Sequence, residues 1–235
     1  MGLKAIIYKD DLCAVITGDL VRSSELEYED RKLFLSYLRE SFTFIKEQLQ
    51  LQDAILLPFG IFRGDSFQVV LTRPECALLA SVLLSLRLRL FNKDAKDLAA
   101  RISIGIGTID YIPESGNVGE ADGVAFRLSG KTLDGMKQKD QNLMIVTSNQ
   151  ALNLMLEVQC VFLDLIAGRW TNVQKEILLE RLSGSTQEEI ASRHGKSQST
   201  ISQSLKAAGF DAVKKFLTNY ENLFEYPDAF VKSDK

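Results

Sequence analysis

The order of strand-like and helix-like segments constrains this fold more than any other feature of the sequence. Up to about residue 148, short apolar runs alternate with amphipathic helical patterns, whereas the rest of the chain contains helical patterns alone. The first part therefore predicts one mixed or antiparallel sheet with its helices on one face, and the second part predicts an all-α unit. The 235 residues are enough for one large or two modest domains.

Hydrophobic periodicity sets the element boundaries. Strands are predicted where apolar residues form short runs or alternate, at residues 12–18, 54–62, 67–72, 101–110 and 142–147. Helices are predicted where apolar residues recur at spacings of three and four, at residues 24–51, 74–91, 121–136, 149–167, 172–182, 186–194, 197–208 and 210–224. The hairpin at residues 63–66 interrupts strict βαβ alternation, so the fold class is α+β rather than a doubly wound parallel sheet.

Composition excludes several classes of protein. A net charge of -3 gives no basic coat for nucleic acid, although a local basic face remains open. The lone histidine, His194, excludes His-based zinc sites and protease triads. Three widely spaced cysteines in apolar stretches indicate buried free thiols in a reducing cytoplasm. Because no segment approaches the ~18 consecutive apolar residues of a membrane span, we expect a cytoplasmic protein with no membrane partner.

Residues 184–206 carry the most specific signal in the sequence. Thr186 and Ser197 are placed to cap two consecutive helices, and Gly195 supplies the positive φ that a tight turn between them needs. Ile201 and Leu205 are expected to face the core, which leaves a polar face on the second helix. Six side chains form that face: Gln198, Ser199, Thr200, Ser202, Gln203 and Lys206.

A helix face of Gln, Ser, Thr and Lys suits the DNA major groove, because these side chains reach base edges and phosphates. The two helices and their turn resemble the helix-turn-helix of sigma-factor and related bacterial regulator domains, which implies double-stranded DNA as a partner. The alternative is a trihelical packing or dimerisation unit that shares only the turn. Acidic and basic residues nearly balance in this part of the chain, so affinity is expected to need a homodimer.

Two aspartates, Asp19 and Asp65, lie at the ends of predicted strands. If those strands are neighbours, both carboxylates project from one edge of the sheet, where oxygen ligands suit Mg²⁺ or Mn²⁺ and the phosphates these ions hold. Either aspartate alone is better explained by the preference of this residue for turns. If Ser23 and Ser24 open the next helix, their backbone N–H groups add a phosphate-binding site.

The order of these elements resembles the class III nucleotidyl cyclase and GGDEF diguanylate cyclase superfamily. Its motifs correspond here to Asp19, the Gly64-Asp65 hairpin, the strand RISIGIG at residues 101–107 and the helix residue Arg127. The resemblance implies a ferredoxin-like, nucleotidyl-cyclase-type sheet over residues 10–150. It also implies metal ligands at Asp19 and Asp65, and nucleotide contacts from Gly64 and Arg127.

Two departures from the cyclase pattern concern residues needed for catalysis. The pattern has an Asn four residues before the helix arginine, where this chain has Gly123. Diguanylate cyclases also carry a Glu after the hairpin aspartate, where this chain has Ser66. Both departures argue against robust catalysis.

Over its full length the chain resembles the bacterial SatD family, which pairs such an N-terminal region with a C-terminal helix-turn-helix. Four stretches carry this resemblance, at residues 16–24, 62–68, 122–127 and 187–191. It implies three segments. They are a cyclase/GGDEF-like domain at 1–150, a linker helix at 151–170 and a helix-turn-helix DNA-binding domain at 171–235.

Two functions follow from these features. One is a DNA-binding transcriptional regulator whose cyclase-like domain binds metal and nucleotide. The other is an active metal-dependent nucleotidyl cyclase or nucleotidyltransferase with an accessory helix-turn-helix. A purely structural N-terminal domain is disfavoured, because two crowded carboxylates repel each other without a cation. We expect the regulator, leave enzymatic activity open, and expect a homodimer from the resemblance to class III cyclases.

Overall fold

The computed structural model describes residues 11–21, 28–62, 66–91, 99–139 and 141–230, and within them five strands form one mixed sheet. The strands are β1 Cys13–Leu20, β2 Ile55–Phe62, β3 Ser66–Leu71, β4 Ala100–Gly107 and β5 Leu143–Val146. They lie in the order β2-β3-β1-β4-β5. The pair β4 and β5 is parallel, and the other neighbouring pairs are antiparallel.

Eight α-helices accompany this sheet in the described part of the chain. They are α1 Tyr28–Gln48, α2 Ala77–Leu90, α3 Val124–Met136, α4 Gln150–Ala167, α5 Asn172–Leu182, α6 Gln187–His194, α7 Gln198–Ala207 and α8 Phe210–Asn222. The α+β class and the order of elements predicted from the sequence are confirmed. Short 3₁₀ turns precede α2 at Pro74–Cys76 and follow α8 at Leu223–Glu225.

The central strand β1 is buried along its whole length. Ala14 and Ile16 join a large apolar cluster with α1 and α2, whereas Cys13 and Val15 join a smaller cluster with Ala125 of α3. Helices therefore cover both faces of the sheet, and the expectation of helices on one face is wrong. The physical reason is that apolar residues occupy consecutive positions of β1 from Cys13 to Ile16, so both faces of this strand need apolar cover.

Helix α3 approaches the sheet closely because β4 carries glycines beneath it. A Cβ atom on Gly105 would lie 2.2 Å from the carbonyl oxygen of Ala125. No larger residue fits at this position without moving α3, so the glycine sets the distance between helix and sheet.

Helices α4 to α8 pack on the side of the sheet that α2 covers. The Tyr220 hydroxyl of α8 donates to the carbonyl oxygen of Pro74 at 2.8 Å, and Trp170 Nε1 donates to the carbonyl oxygen of Ala208 at 2.8 Å. The large apolar cluster runs without a break from β1 to α8. The sheet and the C-terminal helices thus share one core, while the division into segments 1–150, 151–170 and 171–235 stays a prediction.

The three cysteines are free thiols. Burial raises the pKa of Cys13 to about 11 and that of Cys160 to about 12, so both stay protonated at neutral pH. Cys76 is half-buried. The expectation of buried free thiols is therefore confirmed for Cys13 and Cys160 and holds in part for Cys76.

Within the described ranges, α4 is the one helix whose length and composition would allow it to cross a membrane. Its inner side packs on β5 through Leu156 and Cys160. About a fifth of its span, 22%, is buried in the protein.

Candidate functional site

Asp19 lies inside β1, near its end, and not after the strand as the sequence suggested. The register places it opposite Ser66 of β3 on one side and Arg101 of β4 on the other. Arg101 Nε donates to Asp19 Oδ1 at 2.9 Å, and Lys137 Nζ lies 3.6 Å from Asp19 Oδ2. Asp19 is only 6% exposed, and a carboxylate buried to this degree needs such cationic partners.

The second predicted metal ligand, Asp65, lies outside the described residues, as do Ser23, Ser24 and Gly64. Because Ser66 pairs with Asp19, the backbone register brings the start of β3 next to this carboxylate. Within the described ranges, no cluster of three or more His, Cys, Asp or Glu could hold a metal ion.

The described residues do not by themselves fit a divalent cation. Both oxygens of Asp19 already contact a cationic side chain, so Mg²⁺ would have to compete with Arg101 and Lys137 for this carboxylate. A metal ion at this carboxylate therefore requires Lys137, whose side chain is half exposed, to move away.

A polar strip continues from Asp19 beneath α3. Gln68 Nε2 donates to Thr17 Oγ1 at 2.8 Å, and the hydroxyls of Thr17 and Ser129 lie 2.9 Å apart. The buried Ser103 hydroxyl lies on the neighbouring strand and has no hydrogen-bond partner among the described residues. This strip was not predicted from the sequence, although polar residues at alternate positions of otherwise apolar strands were a signal for it.

Arg127 lies in the first turn of α3 and is held by two carboxylates. Its Nη1 donates to Asp122 Oδ1 at 2.9 Å, and its Nη2 donates to Asp110 Oδ2 at 3.0 Å. The hydrogen bond to Asp110 is the main cause that raises the pKa of Arg127 above its usual value. The guanidinium fork that was expected to bind phosphate is thus occupied by the chain's own aspartates.

Within one copy of the chain, the structure does not bring Arg127 to Asp19. Asp19 contacts Lys137, which directly follows the last residue of α3. Lys137 is ten positions after Arg127, which corresponds to roughly 15 Å along the helix axis.

The pair of helices α6 and α7 has the ends that the sequence predicted. Thr186 Oγ1 accepts the N–H of Glu189 at 3.2 Å, while the Glu189 carboxylate accepts the N–H of Thr186 at 2.8 Å. Gly195 follows α6 with a φ of 60°, and Ser197 Oγ accepts the N–H of Thr200 at 3.2 Å. Local capping therefore fixes the start of each helix and the turn between them.

The outward face of α7 consists of the polar residues singled out above. Ile201 and Leu205 are buried. All six predicted contact residues are exposed, namely Gln198, Ser199, Thr200, Ser202, Gln203 and Lys206. In the part of the chain that the structure describes, neither Lys196 nor Lys206 forms an ion pair.

One carboxylate of α5 fixes the end of α6. Glu180 Oε2 accepts from Arg193 Nε at 2.6 Å, and Glu180 Oε1 lies 2.7 Å from His194 Nε2. This clamp holds the turn at Gly195 against α5, and it occupies one of the basic residues near α7. This clamp was not predictable from the sequence, because the contact joins two helices whose relative placement depends on tertiary packing.

A model described as the SatD family matches residues 13–223 of this chain. No curated protein matches the chain.

Three solved structures are similar to part of the chain. The active GGEEF domain of a diguanylate cyclase from Vibrio cholerae is 17% identical, with 57% of this chain and 83% of that chain covered and a TM-score of 0.42. A bacterial light-regulated adenylyl cyclase is 11% identical, with 61% and 44% covered and a TM-score of 0.39. The guanylyl cyclase Cya2 is 16% identical, with 56% and 73% covered and a TM-score of 0.32.

Proposed function

The chain belongs to the SatD family, and from that premise we propose that it is a cytoplasmic, DNA-binding transcriptional regulator in which α7 is the recognition helix. The observation that carries this proposal is the division of α7 into two faces. Ile201 and Leu205 anchor the helix in the core, while an uninterrupted polar face is left to solvent. Surface helices normally carry a polar face, and what distinguishes this one is its composition of amides and hydroxyls with a single lysine, which suits base edges better than a charged solvated face does.

The dimensions and side chains of α7 suit the major groove of double-stranded DNA. Its 10 residues span roughly 15 Å, and a groove about 12 Å wide admits one helix. Gln198 and Gln203 offer amide groups that pair with adenine edges, whereas Lys196 and Lys206 offer free cations for phosphates.

Charge around α7 limits the affinity of a single copy. Arg193 is neutralised by Glu180, and Glu188 and Glu189 begin α6. Few phosphate contacts are therefore available to one chain, and affinity is expected to come from two chains on two half-sites.

The test begins with a duplex enriched from a random pool by the wild-type protein, and measures binding by fluorescence anisotropy over a range of salt concentrations. Lys206→Ala is expected to weaken binding to all duplexes and to reduce the salt slope by about one. Gln203→Ala is expected to weaken binding to the enriched duplex about tenfold, with little effect on unselected DNA.

Lys131 provides the matched control, because it is an exposed lysine on α3, away from α7. Lys131→Ala removes the same charge and is expected to leave DNA binding unchanged. Failure to enrich any duplex, or an equal loss in Lys131→Ala and Lys206→Ala, would contradict the proposal.

We also propose, as a secondary property, that Mg²⁺ or Mn²⁺ and a nucleotide bind near Asp19 and Asp65. The support for it is the pairing of Asp19 with Ser66, the residue that follows Asp65. Because Lys137 contacts the Asp19 carboxylate, Lys137→Met is expected to tighten Mn²⁺ binding several-fold, and Asp19→Asn to abolish it. Lys139→Met is the control, since Lys139 pairs with Glu157 instead. Equal Mn²⁺ affinity in all four proteins would contradict this property.

A product assay with wild type and Asp65→Ala distinguishes a regulator from an enzyme. Wild-type protein is incubated with the four ribonucleoside triphosphates and Mn²⁺, and mass spectrometry is used to look for cyclic or linked products. We expect none, because Gly123 and Ser66 stand where the cyclase pattern has Asn and Glu. A product that disappears in Asp65→Ala would replace the regulator with the nucleotidyltransferase alternative.

A further inference from the structure

Helix α4 has two apolar faces, and only one of them is covered in the part of the chain that the structure describes. Its inner residues Leu152, Leu156, Cys160, Leu163 and Ala167 are buried. Its outer face carries six large apolar side chains that are 44–62% exposed, Leu154, Met155, Val158, Val161, Phe162 and Leu165. A contiguous exposed apolar face of this kind on a folded protein marks an interaction surface.

The sequence spacing of the apolar residues on the outer face indicates which kind of element packs against it. Leu154, Val158, Val161 and Leu165 follow one another at intervals of four, three and four residues, which is the seam of a coiled coil. Such a seam packs against a second helix that carries the same repeat. The 18 residues of α4 span roughly 27 Å, so the seam presents about two heptads.

The charges on α4 disfavour a lipid surface as its partner. Helices that lie on membranes carry Lys and Arg beside their apolar face, and α4 has neither. Its two acidic residues are engaged within the chain. Glu157 lies 3.7 Å from Lys139 Nζ, and Asp164 Oδ2 accepts the backbone N–H groups of Asn142 and Leu143.

We propose that the outer face of α4 is a homodimer interface, in which α4 packs antiparallel against α4 of a second copy of this chain. Met155 and Phe162 lie on one side of the seam, and Glu157 and Asp164 lie on the other. Two-fold antiparallel pairing brings the same side of each helix together, so the additional apolar side chains meet each other. The acidic sides also meet, where Glu157 and Asp164 keep their contacts within their own chains. Parallel pairing would instead place them against the acidic side of the second copy.

A groove beside α4 provides room for these side chains. It lies between α4 and α8 on the side of Phe162, and Ile166, Ala212 and Phe216 line it. In the antiparallel register that places Leu154 opposite Leu165, Met155 of each copy lies level with the groove of the other, between Phe162 and Ile166.

The exposed area is sufficient for a specific dimer. The six side chains expose on the order of 600 Å² in each copy, at the upper end of what monomers leave uncovered. Complete covering of both patches would bury about 1,200 Å² in total, which reaches the lower end of specific protein–protein interfaces. The interface does not depend on DNA binding, although it would supply the dimer that α7 needs.

The first test measures the oligomeric state by sedimentation equilibrium of the full chain at micromolar concentration, without DNA. Wild type is expected to be a dimer, and Val158→Glu combined with Val161→Glu is expected to be a monomer with an unchanged circular dichroism spectrum. Leu33→Glu is the matched control, because Leu33 is 61% exposed on α1 and is expected to leave the dimer intact. A monomeric wild type, or a dimer that survives the double substitution, overturns the proposal.

Disulfide cross-linking tests the antiparallel arrangement and keeps the proposal open to refutation if the glutamate variant unfolds. In a Cys76→Ser background, Cys13 and Cys160 are buried and stay unreactive. Leu154→Cys combined with Leu165→Cys is expected to cross-link two copies, and either substitution alone is not. Equal cross-linking by a single variant overturns the antiparallel pairing. If the protein instead binds anionic vesicles, and the Val158 and Val161 substitutions abolish that binding, the outer face is a membrane-binding surface and the dimer proposal is overturned.

Discussion

Six polar side chains on α7 are exposed to solvent, whereas Asp19 and Arg127 are bound to oppositely charged groups of their own chain. A ligand that meets α7 displaces water and finds donors and acceptors already in place. A ligand that meets Asp19 must first compete with Arg101 and Lys137. Matching residue types define a candidate site, but the contacts that those residues already make within the chain determine how readily a ligand binds there.

We expect the largest loss of stability from breaking the buried ion pair of Asp19, compared with breaking the exposed ion pairs of Arg127. Arg101→Met removes the main partner of the Asp19 carboxylate, which is 6% exposed. A buried charge without its partner is strongly destabilising, so we expect the free energy of unfolding to fall by about 2–3 kcal/mol. Urea denaturation followed by circular dichroism measures this change.

Arg127→Met is the matched control for this experiment. The Arg127 side chain is 55% exposed and its partners Asp110 and Asp122 are also exposed, so solvent screens both ion pairs. We expect a loss below about 1 kcal/mol. If the two variants are equally stable, Asp19 is not held in place by Arg101, and the contrast between the two sites disappears.

The elements of this fold were readable from the sequence because their signals are local. Thr186 and Ser197 each cap the helix that follows them, and the apolar spacing sets which side of each of these helices is buried. The partners of Asp19 were not readable in this way. Arg101 lies 82 residues away, and it meets Asp19 only through the register of β1 with β4.

The second prediction concerns the contact that joins the C-terminal helices to the sheet layer. Tyr220 is fully buried, its hydroxyl donates to the carbonyl oxygen of Pro74, and burial raises its pKa well above the usual value. Tyr220→Phe leaves that carbonyl without its donor, so we expect unfolding to become easier by about 1–2 kcal/mol. Tyr226→Phe, at a residue that is 66% exposed, is expected to change nothing.

Thermal unfolding of the Tyr220 variant also addresses whether the chain unfolds as one unit. A single transition that shifts as a whole agrees with the shared apolar core of sheet and helices. Two transitions, of which only the one from the C-terminal helices shifts, would show that the two parts unfold separately.

The third prediction compares the stability changes at two glycines that have free space around them, and these changes are expected to be smaller. Gly195 has a φ of 60°, and a Cβ atom on it would contact nothing within 4 Å. Gly195→Ala therefore tests the backbone alone, and we expect a loss of about 1 kcal/mol. Gly130 also has open space, but it lies within α3, so Gly130→Ala is expected to stabilise by about 0.5–1 kcal/mol. Equal signs for the two substitutions would contradict the left-handed turn between α6 and α7.

The exposed apolar face of α4 could not be predicted from the sequence. Residues 149–167 were correctly predicted as a helix, and the apolar residues on all sides of it were visible in the sequence. Which apolar stripe would be buried depends on the packing of α4 on β5, since both stripes have helical spacing. The exposed stripe therefore became recognisable only from the structure.

The smallest expected effect depends on pH and concerns the first turn of α6. The pKa of Glu189 lies below its ordinary value of 4.5, chiefly because the backbone N–H of Thr186 donates to its carboxylate. A pKa that is lowered in the folded state stabilises the protein above the ordinary value, and this stabilisation is lost as the pH falls through the folded-state pKa. Glu189→Gln is therefore expected to lower the Tm slightly at pH 7, with the difference disappearing well below pH 4.5. Glu188→Gln leaves the capping box intact and serves as the control. A Tm difference for Glu189→Gln that persists at low pH would show that the charge of Glu189 does not support the cap.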